Sequence, residues 1–295
     1  MPDSRRALLL GLSAVLLWST VATAFKLALR QLDVFQLLFY ASLSSAAVLT
    51  LVLALRGQLG QLPIYLRDAP RYFVLMALLN PCVYYLVLLS AYDRLPAQQA
   101  QAINYTWAIM LSLLAIPLLR QPLKGRDLVA ATGGYLGVLV IATRGDLTSL
   151  AFDSAVGVAL ALLSTVLWAL YWIASAKNQR DATVSMALMF LLSIPVTAAL
   201  CLWFSTPVAP GWQGVMAAVY VGLFEMGVTF MLWAAALRAA TRVALVGNLI
   251  FLSPFLSLVF IHVILGEHVH PATLLGLALI VPAALYQQME RPATV

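Results

Sequence analysis

The chain has 295 residues, 63% of them hydrophobic and only 9% charged, with a mean hydropathy of +0.96. Soluble domains average about 25% charged residues, so the composition argues against a water-soluble fold, and no hydrophilic stretch is long enough for a separate soluble domain. The net charge of +6 comes from basic residues scattered over loops, which argues against a nucleic-acid surface.

The length suits about ten membrane spans of ~20 residues each. Apolar runs place them at Ala7–Leu29, Val34–Leu55, Tyr72–Ala91, Ala97–Leu119, Leu128–Thr143, Ala155–Ala176, Thr183–Phe204, Trp212–Leu237, Val243–Leu265 and Ala272–Gln287. Turn signals separate them: Gly57 with Gly60 and Pro63, Lys124-Gly125, Arg144-Gly145-Asp146, Pro207 with Pro210-Gly211, and His270-Pro271. The N-terminal Arg5-Arg6 and its apolar run resemble a signal peptide. The run is too long for that, and we expect a retained first helix. The fifth span holds Gly133, Gly134 and Gly137, which permits close helix packing. Cys82 and Cys201 sit in apolar runs without metal-ligand spacing and read as packing residues.

Ten spans put both termini on one side. That side then holds 13 of the 17 Lys and Arg residues, and the other side holds Lys26, Arg30, Arg94 and Arg144. The positive-inside rule makes the terminal side cytoplasmic.

The third and fourth spans form an oddly polar hairpin, Asn80 to Trp107, with a weaker echo at Phe224 to Phe251. Further echoes follow in the same order. Trp18 and Trp168 are 150 residues apart, and Asp33 and Asp181 are 148 apart. Arg94 pairs with Arg238 and Asn104 with Asn248, both at 144, and Gly133 with Gly276 at 143. The expectation is a duplication, residues 1–148 and 149–295. Five spans per half is odd, so the second half inserts upside down. The expected fold class is an all-α integral membrane protein, with ten transmembrane helices as two inverted five-helix repeats around a central cavity. Such repeats give two related conformations open to opposite sides, which points to a transporter.

The order of features resembles the drug/metabolite transporter superfamily of the EamA-repeat type. The pieces that carry the resemblance are Trp18-Ser19-Thr20 in the first span, the run Ser253 to Leu258 in the ninth, and the turn Gly266 to Gly276 with its E-x8-G. Gln121-Pro122 departs from the pattern, because an acidic residue is usual there. The fourth-span N-Y-T-W looks most like the branch of YddG-type aromatic amino-acid exporters. The resemblance implies a ten-helix bacterial inner-membrane exporter with both termini cytoplasmic. It also implies that helices one to four and six to nine surround the cavity, with five and ten behind.

Candidate substrate-binding residues follow from polar and aromatic groups within spans, which hydrocarbon does not solvate. Trp168, Tyr171 and Trp172 have i, i+3, i+4 spacing, with Ser164 on the same face. They read either as a cavity wall or as an interfacial aromatic belt. Tyr84 and Tyr85 point about 100° apart, so one is expected to face the cavity and the other to pack. Pro81 should kink their helix; Pro195 and Pro254 lie mid-span elsewhere. Asn104, Tyr105 and Trp107 begin the fourth span. Asn104 reads as a ligand contact or, with its echo Asn248, as a symmetric helix–helix hydrogen bond. Glu225 reads as the one carboxylate well inside a span. It could hold a coupling proton, bind a substrate ammonium, or be a neutral acid hydrogen-bonded to a neighbouring helix. Lys26 and Lys177 read as snorkelling residues. His262, His268 and His270 read as surface residues.

No phosphate-binding loop, G-x-S-x-G or H-E-x-x-H occurs, so neither ATP hydrolysis nor a protease is supported. We expect no catalytic residue, cofactor, metal or nucleic-acid partner. The expected protein is a secondary transporter exporting amino acids (aromatic/neutral) and related metabolites by alternating access, as a monomer or weak homodimer in membrane lipid. The alternatives are the same fold with another cargo (drug cation, nucleotide sugar or lipid-linked sugar), a lipid-modifying membrane enzyme, or a scaffold.

Overall fold

A computed structural model describes residues 2–120, 122–123, 125–148, 152–205, 211–240 and 246–288. Gln121, Lys124, Arg242, Arg291, the Pro207–Pro210 turn and the expected ninth-span start at Val243 lie outside the described residues. Among the described residues all regular structure is helical.

In chain order the helices are α1 (Pro2–Leu29), α2 (Val34–Leu55), the short α3 (Gln61–Asp68), α4 (Pro70–Arg94) and α5 (Ala97–Leu119). Then come α6 (Gly125–Ala142), α7 (Ala155–Ala176), α8 (Ala182–Phe204), α9 (Trp212–Ala239), α10 (Asn248–Leu265) and α11 (Pro271–Gln288). Nine of these are long and apolar enough to cross a membrane, and a shorter apolar helix covers Pro271–Gln287. With these apolar helices the chain is a multi-pass membrane protein.

Local chemistry sets the helix starts. Asp33 accepts from the backbone N–H of Phe35 and Gln36, both at 2.9 Å, and Gln36 closes a capping box. Asp181 does the same for α8, accepting from Thr183 and Val184 at 2.9 and 3.0 Å. The two aspartates matched in the sequence thus perform one local task. Replacing Asp181 by Ala is expected to cost about 1 kcal/mol of stability, read as an earlier thermal transition in detergent. An unchanged transition would show that the cap is dispensable. At the end of α2, Gly57 takes φ +66, so that Gln58 N–H can donate back to Leu53 O at 2.8 Å.

Several spans are not regular. α4 passes through a π-helical stretch, Leu78–Val83, where Asn80 adopts φ −141, ψ 117 and the Asn80–Pro81 peptide is cis. The kink expected at Pro81 is therefore a break in the helix. α9 has its own π-helical stretch at Val221–Val228. The 144-residue offset that relates Asn104 to Asn248 carries 78–83 onto 222–227, within that second stretch. α5 is interrupted by a turn at Tyr105 and Thr106, and α10 opens with a 3₁₀ segment, Asn248–Leu252. Pro195 sits inside an unbroken α8.

The contacts divide the chain into two compact units, whose boundaries fall within α4, between α7 and α8, and within α10. One comprises Met1–Leu89 and Gln179–Phe260; the other comprises Ser90–Asn178 and Ile261–Val295.

In the first unit α1 packs against α9 and the first part of α10, and α2 packs against α8 and α9. Gly222 brings α9 so close to α2 that a Cβ would strike Ala41 O and Ser44. Tyr65 stacks on Phe73 at 6.1 Å, its hydroxyl accepts from Asp181 N–H at 3.1 Å, and Arg180 lies over both rings at 5.8 and 6.0 Å. Leu202, Trp203 and Phe204 at the end of α8, with Trp212 at the start of α9, are strongly exposed. That pattern suits lipid and interface contact.

In the second unit α6 and α11 make the main contact. A Cβ on Gly137 or on Gly276 would meet the other's carbonyl oxygen at 2.7 Å, so two backbones touch there. α7 packs on the second part of α5, and Gly157 admits Leu95.

Candidate functional site

Each unit carries its own polar or aromatic group within the spans. In the first unit the group is built on the π-helical stretch of α9. Glu225 lies there, buried, and accepts a hydrogen bond on Oε1 from the hydroxyl of Tyr85 at 3.1 Å. Its Oε2 is buried and has no hydrogen-bond partner among the described residues. The π turn offsets backbone pairing, and hydroxyls take up freed carbonyls. Ser45 of α2 donates to Met226 O at 3.1 Å, and Thr229 donates to Phe224 O. One turn earlier Tyr220 and Thr20 share a hydrogen bond of 2.7 Å, and Ser19 donates to Ser253 at 3.3 Å. These bonds form a polar seam between the apolar faces of the helices.

Tyr84 and Tyr85 meet edge to face at 4.8 Å, and Tyr85 also meets Phe25. Both tyrosines are almost fully buried, so the expected split into one packed and one open ring does not appear in this conformation. Trp18 packs edge-on against Phe230 and Trp233.

In the second unit the aromatic group lies on α7. Trp168 stacks on Tyr171 with ring centroids 5.3 Å apart and 19° between planes, and Trp172 stands edge-on to Trp168 at 5.8 Å. The indole N–H of Trp172 is buried without an acceptor among the described residues. Asn104 donates from Nδ2 to Ser164 Oγ at 2.9 Å, and Ser164 donates onward to Ala161 O at 2.7 Å. This is a helix–helix hydrogen bond between α5 and α7. Asn104→Ala is expected to lower thermal stability by about 0.6 kcal/mol, and no change would mean that the bond contributes nothing. Tyr105 lies in the turn between the halves of α5, and Trp107 begins the second half; both are half-buried. Asn248 is exposed at the start of α10 and lacks the burial of its echo, Asn104.

The second unit also holds polar contacts that the sequence reasoning did not foresee. Glu267, of the E-x8-G turn, accepts from Ala97 N–H at 3.2 Å and so caps α5, where Pro96 offers no capping side chain. Buried Gln98 fixes the same turn. It donates to His268 O and accepts from His270 N–H and Thr273 Oγ1, each at 2.9 Å. Gln99 donates to Asp153 at 2.7 Å, which pairs with Arg144 at 2.9 Å. Asp127 is a second buried carboxylate, because α6 begins three residues earlier than expected. It accepts from Gln287 at 3.1 Å. His262, His268 and His270 are exposed. Among the described residues no group of three His, Cys, Asp or Glu side chains could hold a metal ion.

Comparison with known proteins identifies the class. The model of the EamA-like transporter family matches this chain twice, over residues 5–143 and 155–286. The chain belongs to that family, and it is a membrane transporter rather than an enzyme. The aromatic amino acid exporter YddG of Ancylobacter novellus is 26% identical over 264 residues, covering 85% of this chain and 86% of the exporter. An uncharacterized transporter of Archaeoglobus fulgidus is 25% identical over 271 residues, covering 90% of this chain and 91% of its own length. A solved crystal structure covers 98% of this chain and 100% of its own, with TM-score 0.66 and 24% identity, and so supports the fold.

Proposed function

We propose that this protein is a secondary transporter that exports amino acids, aromatic and neutral ones first, across a bacterial inner membrane by alternating access. The observation that carries the reading is the similarity over 85% of the chain to a protein named as an aromatic amino acid exporter. The stacked Trp168 and Tyr171 support it, because an indole–phenol face suits an aromatic or apolar side chain.

In this account Pro271–Gln288 completes ten spans. Residues 1–148 and 149–295 are two inverted five-helix repeats, and both termini are cytoplasmic. The matching π-helical stretches of α4 and α9 support the duplication. Trp168 and Tyr171 contact the substrate side chain. Ser164, Asn104, Tyr105 and Trp107 shape the same face of the second unit. Tyr84 and Tyr85 frame Glu225 in the first unit, and Glu225, with Asn248, supplies polar contact. The protein works without a cofactor, as a monomer or weak homodimer.

The test is efflux from cells preloaded with labelled phenylalanine. Cells producing the protein should lose label faster than cells carrying an empty vector. Equal rates, with the protein detected in the membrane, would remove export of phenylalanine. Faster loss of a labelled organic cation instead would favour the other-cargo alternative.

A further inference from the structure

A carboxylic acid buried among membrane spans is costly to keep unless it is used, paired or neutral. Glu225 is nine-tenths buried, and only one of its two oxygens is engaged. Tyr85 O–H holds Oε1 and orients the carboxyl, which leaves Oε2 buried without a hydrogen-bond partner among the described residues. The described surroundings add no paired countercharge. No Lys, Arg or His among the described residues forms an ion pair with Glu225. The helices packed on the π-helical stretch of α9 are α1 and α2. α2 has no charged residue, and its ionisable group is Tyr40; it presents Ser44 and Ser45 to this stretch. α1 has charges only near its ends, at Asp3, Arg5, Arg6 and Lys26, and offers Thr20 to Tyr220. Tyr85 comes from α4. The π turn also leaves the carboxyl in a stretch whose carbonyls need outside partners, so the backbone there is already polar.

We propose that Glu225 Oε2 is an exchange site, taken alternately by a proton and by the ammonium group of the transported amino acid. The inference rests on the amino-acid exporter reading above. The protonated carboxyl meets the zwitterionic amino acid on the cytoplasmic side, gives its proton to water, and pairs as carboxylate with the ammonium group. On the outer side the ammonium group departs with the amino acid, and the carboxylate takes a proton from water. The cycle returns inward with the carboxyl neutral, so one amino acid leaves for each proton that enters. Tyr85 is a positioning residue: it keeps Oε1 occupied, so that proton and ammonium compete for one oxygen.

Two measurements on the full-length protein test this. The first needs no transport. Infrared spectra of the reconstituted protein should show a protonated-carboxyl C=O band on acidification. That band should be missing in Glu225→Gln and should shrink when phenylalanine is added to the wild type. An identical band in Glu225→Gln would overturn the proposal. The second is phenylalanine counterflow across pH. In the wild type the concentration giving half-maximal counterflow should rise as pH falls, because protons compete. In Glu225→Gln it should be at least about tenfold higher near neutrality, a loss of about 1.4 kcal/mol, and independent of pH. Tyr85→Phe should keep a pH dependence but displace it. A Glu225→Gln profile that follows the wild type would overturn the proposal. Absence of counterflow for every amino acid, with the infrared band still assigned to Glu225, would instead strike the amino-acid reading.

Discussion

Trp168→Ala is expected to reduce phenylalanine counterflow at least about tenfold, equivalent to about 1.4 kcal/mol, while the protein still purifies as a folded species. The ring is buried, stacks on Tyr171 and stands against Trp172, so its removal deletes the centre of the aromatic group on α7. An aromatic pair contributes about 0.5–1.5 kcal/mol beyond its buried area, and loss of the area itself adds to that. Trp168→Phe keeps a ring for stacking and should retain most of the activity. Tyr171→Phe keeps the stack and should behave similarly. Counterflow at the wild-type rate in Trp168→Ala would remove this group from substrate recognition and leave it as packing.

Gly276→Leu is expected to be the most damaging single change to the fold. α6 and α11 touch backbone to backbone at Gly137 and Gly276, and Ile141 lies where the new side chain would go. Forcing bulk into such a contact costs about 1–3 kcal/mol by overpacking, and here the clash is with a carbonyl that cannot rotate away. The thermal transition in detergent should fall by several degrees or the protein should fail to accumulate. Gly133→Ala is the control. A Cβ there meets only Ala283, at an ordinary 3.5 Å, so that variant should be near wild type. Equal stability of Gly276→Leu and wild type would refute the close contact.

Much of this architecture was legible in the residues because hydrocarbon imposes strict rules. Apolar runs had to be helices, and the start expected for α2 at Val34 coincides with the observed one because Asp33 marks it. The glycines of the fifth span announced a close partner, although sequence alone did not say that Gly137, rather than Gly133, would touch Gly276. Irregular backbone was harder to see. Pro81 signalled trouble in α4, yet nothing in the V-G-L-F-E-M-G-V run of α9 announces a π turn. The stretch is matched by tertiary partners, such as Ser45 reaching Met226 O, that appear only on folding. Of the candidate groups, Glu225 stood out as a lone acid, and the spacing on α7 put Trp168 and Tyr171 on one face without saying that their rings would stack. The partner of Glu225, Tyr85, is 140 residues away and no local pattern links them. The tie of Gln98 and Glu267 to the start of α5 escaped notice because capping a helix from a distant turn leaves no mark in the spacing of either segment.

The most direct test of the central claim is counterflow in proteoliposomes with the purified protein. Vesicles loaded with unlabelled phenylalanine should take up external labelled phenylalanine transiently, and well above protein-free vesicles. Unlabelled neutral amino acids should compete, and an organic cation should not. No uptake of any labelled amino acid, beside a reconstituted control transporter that works, would contradict the amino-acid assignment and leave the family membership standing.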